Sequence, residues 1–334
     1  MKKLLTLALS VVLTLSFTFA VGCKDQTETE KVNIKYYADG QAVVQAILSN
    51  AETIGLVPEP AATALTKKAT LQGKTLYRLD LQELYDAEEK AYPQAVLMVK
   101  KSVLGANPEL VSTLQSKITD SASWIKTHTA DAVTAISEKG NTTLQAGALT
   151  EQAIDGCKIY FQSASEAKAS VKEYVNNIVE IDNTKATVVN DDFFYSSGYE
   201  GSAKAEYTFV MPDGAPALAV AKLIHDGDDL GTNASVSYSV VSANQIAPTL
   251  SSGTADLVIA PVNLASKLYK ASGADHYVLV AVLTHGNFYV MSTENITLSD
   301  LAGRRIAVPN MGAVPDWTFK MVLDKHDLEF SIIE

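Results

Sequence analysis

The sequence predicts an α/β protein of two lobes with a ligand cleft between them. Three observations carry this expectation. A strand–turn–helix unit occurs three times, at residues 207–223 (YTFVMPDGAPALAVAKL), 304–323 (RRIAVPNMGAVPDWTFKMVL) and 32–48 (VNIKYYADGQAVVQAIL). Residues 245–268 (QIAPTLSSGTADLVIAPVNLASKL) repeat the pattern of residues 41–65 (QAVVQAILSNAETIGLVPEPAATAL): helix, polar break, alanine and acid, strand, proline, Ala-rich helix. A length of 334 residues suits about two domains. Repetition at this spacing means paired α/β lobes rather than a solenoid.

The two lobes read in different orders. One runs through residues 207, 235, 256 and 263 in sequence. The other starts at 304, reaches 334, and continues at 32, 53 and 61, which is the order a circular permutation produces. The boundaries read from the sequence are 32–100 with 298–334 for one lobe, 101–195 with 206–297 for the other, and a Ser/Gly-rich linker over 196–205.

Composition excludes some functions. Hydrophobic residues are 47% and charged residues 19%, enough to fill two cores and too little charge for long disordered tracts. The formal net charge of −11 argues against nucleic-acid binding, which needs clustered Lys and Arg.

The N-terminus reads as a processing signal. Lys2-Lys3 precede an apolar stretch over 4–19, and Ala20-Val21-Gly22 lead into Cys23. The pattern predicts an export signal over residues 1–23. It resembles the bacterial lipobox, which implies that Cys23 is lipidated and anchors the mature chain to a membrane through a tether over 24–31. No other stretch has the about 20 apolar residues needed to span a bilayer. With Cys23 lipidated no disulfide forms, and Cys157 is expected to be a buried small hydrophobe.

The remaining elements follow in order. Residues 53–57 read as a buried strand ended by Pro58-Glu59-Pro60, with a helix over 61–67. A strand over 76–79 precedes an acidic segment over 80–92, and a strand over 96–100 crosses between lobes. Asn107-Pro108-Glu109 open a helix whose apolar stripe is Leu110, Leu114, Ile118, Ala122 and Ile125. The pattern from 129 to 181 is helical, with helices over 131–139, 149–155 and 166–179. Beyond the linker come a strand over 207–211, a helix opening near Pro216, a strand over 235–241 and a short helix over 243–250. Strands over 256–260, 277–283 and 288–292, a helix over 263–270 and the 304–323 unit complete the pattern.

Several short motifs carry a family resemblance. They are Met211-Pro212-Asp213-Gly214-Ala215-Pro216, Ala260-Pro261-Val262-Asn263-Leu264-Ala265 and Gly286-Asn287-Phe288-Tyr289-Val290. The stretches 301–309 (LAGRRIAVP), Pro58-Glu59-Pro60-Ala61 and Tyr92-Pro93-Gln94-Ala95 belong with them. Together they resemble the substrate-binding lipoproteins of ABC importers, of the nitrate/sulfonate/taurine/thiamine-precursor type. The likeness covers nearly all of residues 32–334 but in permuted order: 206–334 resemble that family's first half and 32–195 its second. It implies a type II periplasmic-binding-protein-like fold. The chain is then expected to be a monomeric extracytoplasmic protein without a cofactor, delivering a small molecule to a membrane permease and its ATPase by hinge closure.

The site residues expected from strand ends are Pro212, Asp213, Gly214 and Ala215 in one lobe and Gly312, Ala313 and Val314 in the other. Asp39 and Gly40 form a third turn. In open α/β sheets ligands lie beyond the carboxyl ends of strands, and helix N-termini offer unpaired N–H groups there. Asn263, His285 and Asn287 also fall at strand ends, and Glu59 and Gln94 are further candidates. These turns contain no Arg or Lys, so the expected ligand is neutral or weakly charged, a heteroaromatic ring being one candidate and a small monoanion held by helix N-termini another.

Catalytic signals are weak. Gly73-Lys74-Thr75 resembles a P-loop tail, but Lys68 stands where that motif needs Gly. Ser165 to Lys168 fits S-x-x-K inside an amphipathic helix. Asp213 and Asp316 could pair as acid and base, although helix capping accounts for both. The alternatives to a binding protein are an enzyme on the same fold, of the small-metabolite lyase or pyrimidine-synthase kind, and a sensor or adhesin module.

Overall fold

The computed structural model describes residues 30–227, 229–269 and 276–334. The expected signal peptide, Cys23 and most of the tether lie outside the described residues.

In chain order the elements begin with β1 (Val32–Tyr37), α1 (Gly40–Leu48), β2 (Ile54–Pro58), α2 (Ala61–Leu71), β3 (Tyr77–Asp80), α3 (Leu81–Tyr85) and β4 (Ala95–Lys100). They continue with α4 (Lys101–Ala106), α5 (Leu110–Ile125), α6 (Thr129–Ser137), α7 (Glu151–Gly156), β5 (Ile159–Ser163) and α8 (Ala164–Ile181). Then come β6 (Glu206–Pro212), α9 (Ala215–Ala219), α10 (Ala221–Asp226), β7 (Ser235–Val241), α11 (Ile246–Ser252), β8 (Leu257–Pro261) and α12 (Val262–Leu268). The chain ends with β9 (Tyr277–Thr284), β10 (Phe288–Ser292), β11 (Arg305–Pro309), α13 (Val314–Lys325) and β12 (Phe330–Ile333).

Local sequence explains most of these. Every residue of β9 and β10 is buried, as continuous apolar runs in a sheet covered on both faces should be. The α5 stripe buries Leu110, Leu114, Ile118 and Ile125. A capping box between Ser163 and Glu166 starts α8. Cys157 is buried in the core beside α5 and β9. Two expectations differ. The stretch read as wholly helical over 129–181 contains the strand β5. The helix after Pro216 breaks at Val220 (φ −118) into α9 and α10.

The strands form two six-stranded sheets, ordered β5-β9-β4-β8-β6-β7 and β12-β1-β11-β2-β10-β3. In the first, β6 runs parallel to β7 and β8, and β4 is antiparallel to β8 and β9. In the second, β11 runs parallel to β1 and β2, and β10 is antiparallel to β2 and β3. The series β7-β6-β8-β4-β9 and β1-β11-β2-β10-β3 therefore share one pattern, and each sheet belongs to one lobe. Chain order differs: β1 takes the place beside β11, so β12, which follows α13, pairs outside it as an edge strand.

The sheets divide the chain at points other than those read from the sequence. β4, read with residues 32–100, pairs in the first sheet. β10, read with residues 206–297, pairs in the second. Each is apolar on both faces, so its composition cannot say which sheet receives it. Residues 285–287 and 81–94 are thus the chain segments crossing between the sheets. α13 also ties the lobes together. Its Phe319, Val322 and Leu323 pack in the core of the second sheet, while Val314, Trp317 and Met321 pack with Tyr174 and Val262 of the first lobe. The 196–205 segment has no regular structure but is docked: a Cβ at Gly201 would overlap the Ser102 carbonyl, and Lys204 pairs with buried Asp256.

Candidate functional site

Strand ends from both lobes enclose one cavity of about 240 Å³. β6 leads into Asp213 and Gly214, whose φ of 93° turns the chain into α9. From the second lobe, β1 leads to Asp39, whose carboxylate accepts from the Ala42 N–H at 2.9 Å and caps α1. β2 leads through Pro58 and Glu59 into α2. The walls are Asp39, Gly40, Pro58, Glu59 and their neighbours on one side, and Asp213, Gly214 and residues 143–145 on the other.

The carboxylates at the cavity are engaged. Asp213 accepts from the Thr142 hydroxyl at 2.6 Å, the Thr143 N–H at 2.7 Å and the Thr143 hydroxyl at 2.9 Å. These bonds pin the 142–143 stretch, which forms the outer wall. Buried Glu59 accepts from the Thr63 N–H and hydroxyl at 3.0 and 2.9 Å, and pairs with Arg78 at 3.0 Å. Arg78 in turn lies 3.7 Å over the Tyr289 ring. The turns carry no cation, yet α2 contributes one: Ala61, Ala64 and Lys68 lie on its cavity face at helical spacing. Lys67, the next residue back, donates to the Gly147 carbonyl across the cavity at 2.6 Å. Behind it, a Cβ at Gly156 would approach Glu59 Cγ to 2.9 Å, so the lobes are in close contact.

The predicted turn at Gly312, Ala313 and Val314 is placed differently. Asn263 Nδ2 donates to the Gly312 carbonyl at 3.3 Å and the Lys185 carbonyl at 3.4 Å, bridging the lobes. Gly312 N–H donates to Asp316 at 2.8 Å, and Trp317 Nε1 donates to the Gly312 carbonyl at 2.9 Å. Ala313 is the N-cap of α13, and Val314 is buried in the shared apolar cluster. Gly312, Ala313 and Val314 therefore close against Asn263 and do not line the cavity. Asp316 also accepts from Tyr36 and pairs with Lys320, far from the partners of Asp213, so the two aspartates do not form a pair. Pro212 and Ala215 are buried supports of the β6 turn.

The remaining candidates sit in the crossing segments. Gln94 Nε2 donates to Asn287 Oδ1 at 2.9 Å, and Phe288 N–H donates to Gln82 at 2.9 Å. His285 is buried and stacked on Tyr160, with ring centroids 3.5 Å apart. Burial pushes its pKa down to about 3, so the ring is neutral at physiological pH. It faces a separate recess with Tyr160 and Gln162.

Sequence reading missed Lys68 and residues 143–145. The spacing of Ala61, Ala64 and Lys68 could have found the lysine. Residues 143–145 meet Asp213 across about 70 positions and carry no local signal. Among the described residues no group of three or more His, Cys, Asp or Glu is placed to hold a metal ion, and no helix is long and apolar enough to cross a membrane.

No protein-family model matches this chain, and no curated protein matches it. Solved structures similar to it include NikA from Brucella suis in complex with Fe(III)-EDTA, with TM-score 0.34, 9% identity, and 78% of this chain and 57% of that one covered. They also include a substrate binding protein from Microbacterium hydrocarbonoxydans complexed with 4-hydroxybenzoate hydrazide, with TM-score 0.30, 10% identity, and 84% and 56% covered. A phosphate-binding protein of a phosphate ABC transporter from Streptococcus pneumoniae has TM-score 0.28, 11% identity, and 86% and 78% covered. The chain spans a little over half the length of the first two.

Proposed function

We propose that this chain is the extracytoplasmic solute-binding component of an ABC importer. The observation that carries the reading is the cavity built jointly by two lobes that the chain crosses between at 81–94 and 285–287. A small molecule bound there touches both lobes at once. It therefore binds the closed arrangement better than the open one and shifts the equilibrium between them. The closed form is what a membrane permease and its ATPase would recognise. In this reading Cys23 carries the lipid anchor, the protein acts as a monomer, and it performs no catalysis. The sequence motifs favour a ligand of the nitrate, sulfonate, taurine or thiamine-precursor kind. The shared strand order of the two sheets, with β1 in the place beside β11, supports a permuted chain.

A thermal-shift screen of the lipid-free chain against nitrate, taurine, alkanesulfonates, thiamine, its pyrimidine precursor and common amino acids tests this. A ligand at about 100 times its Kd adds roughly 2.7 kcal/mol and raises Tm by a few degrees. Small-angle scattering should then show a smaller radius of gyration with the ligand than without. A cooperative melt that no small molecule moves would sink the solute-binding reading.

A further inference from the structure

Four ionic side chains line the inter-lobe cavity: Asp39, Glu59, Asp213 and Lys68. Three are committed within the fold. Asp39 caps α1, Glu59 pairs with Arg78, and Asp213 holds Thr142 and Thr143. The side chain of Lys68, which is partly buried, makes no hydrogen bond or ion pair among the described residues. Its neighbour Lys67 is already used to reach Gly147, so the two lysines have separate tasks. The rest of the wall mixes aliphatic residues such as Val44, Pro58, Pro60 and Leu144 with the polar side chains of Gln41, Thr143 and Gln145. No Phe, Tyr, Trp or His is among the lining residues, so a flat ring would find no stacking partner. At about 240 Å³ the space is below the about 300 Å³ at which drug-sized pockets begin.

We propose that Lys68 is the residue by which this cavity selects its solute, and that the solute is a small aliphatic molecule with one anionic group set against the Lys68 ammonium. The assignment rests on the cavity being the solute site. The Lys68 ammonium makes no ion pair among the described residues although Asp39, Glu59 and Asp213 share its cavity, and an anionic oxygen set against it supplies a charge-assisted hydrogen bond. The same group would discriminate against neutral isosteres, because binding one leaves the lysine desolvated and unpaired. Of the ligand kinds open from the sequence, the small monoanion is the one that Lys68 of α2 favours.

Calorimetry at low salt with matched probes tests it: 1-butanesulfonate and butyrate against 1-butanol and butyramide, on the native chain, Lys68→Met and Lys68→Arg. The native chain should bind at least one of the two anions about tenfold or more tighter than its neutral partner. Lys68→Met should lose that preference, Lys68→Arg should keep most of it, and both variants should melt as the native chain does. Equal binding of anion and neutral partner, or a preference that survives Lys68→Met, overturns the role of Lys68. If neutral or aromatic compounds bind while anions do not, the solute site stands and the Lys68 assignment falls. If nothing in either panel binds, both readings fall.

Discussion

Asn287 and Glu59 are joined by reciprocal hydrogen bonds: Asn287 Nδ2 donates to the Glu59 carbonyl at 2.8 Å, and Glu59 N–H donates to the Asn287 carbonyl at 2.8 Å. Asn287 belongs to the three-residue crossing between β9 and β10, while Glu59 lines the inter-lobe cavity. The crossing segment and the cavity wall are therefore one bonded unit. Any change at the cavity that moves residue 59 is transmitted directly to the chain between the lobes.

The Glu59 carboxylate is fully buried as a side chain, whereas Arg78 is 30% exposed. Removing the arginine strands an anion in the interior. Arg78→Met should cost about 3 kcal/mol in urea unfolding, at the low end for a broken buried pair because water reaches the arginine. The double variant Glu59→Gln with Arg78→Met should recover a substantial part of that loss. Additive losses in the double-mutant cycle would mean the two groups are not coupled.

His285 gives a pH prediction with a definite sign. Burial lowers its pKa from 6.5 to about 3 in the folded protein. The unfolded chain binds a proton near pH 6.5 that the folded chain refuses until about pH 3. The favourable term is thus complete above pH 6.5 and is lost as pH falls towards 3, by at most about 1.4 kcal/mol per pH unit. Urea unfolding at pH 7.5, 6 and 5 should show a shallower decline for His285→Gln than for the native chain. Parallel curves would place the acid sensitivity elsewhere.

Asp213→Ala removes the acceptor of three bonds from Thr142 and Thr143. Water can take the place of the carboxylate at exposed Thr143, so the loss should be about 0.5–1.5 kcal/mol. Hydrogen exchange should localise the effect: amides over residues 140–148 should lose protection while those of β9 keep theirs. Unchanged protection over 140–148 would show that the outer wall of the cavity is held by its other contacts.

The sequence by itself determined the local elements and much of their meaning. Caps at Asp39 and Ser163, the positive-φ turn at Gly214 and the apolar runs of β8, β9 and β10 act within a few residues of themselves. Their repetition was enough to read two α/β lobes and to place Asp39, Gly40, Glu59, Asp213 and Gly214 at the ends of strands that meet. Tertiary structure alone decided which sheet takes β4 and β10, because a strand buried on both faces has no polar side to orient it. It also decided that Asn263 shuts the Gly312 turn, that residues 142–143 consume Asp213, and that Lys68 faces the cavity without a partner. Those facts are pairings between residues dozens to hundreds of positions apart, and a charge or an amide carries no local mark of the group it will meet.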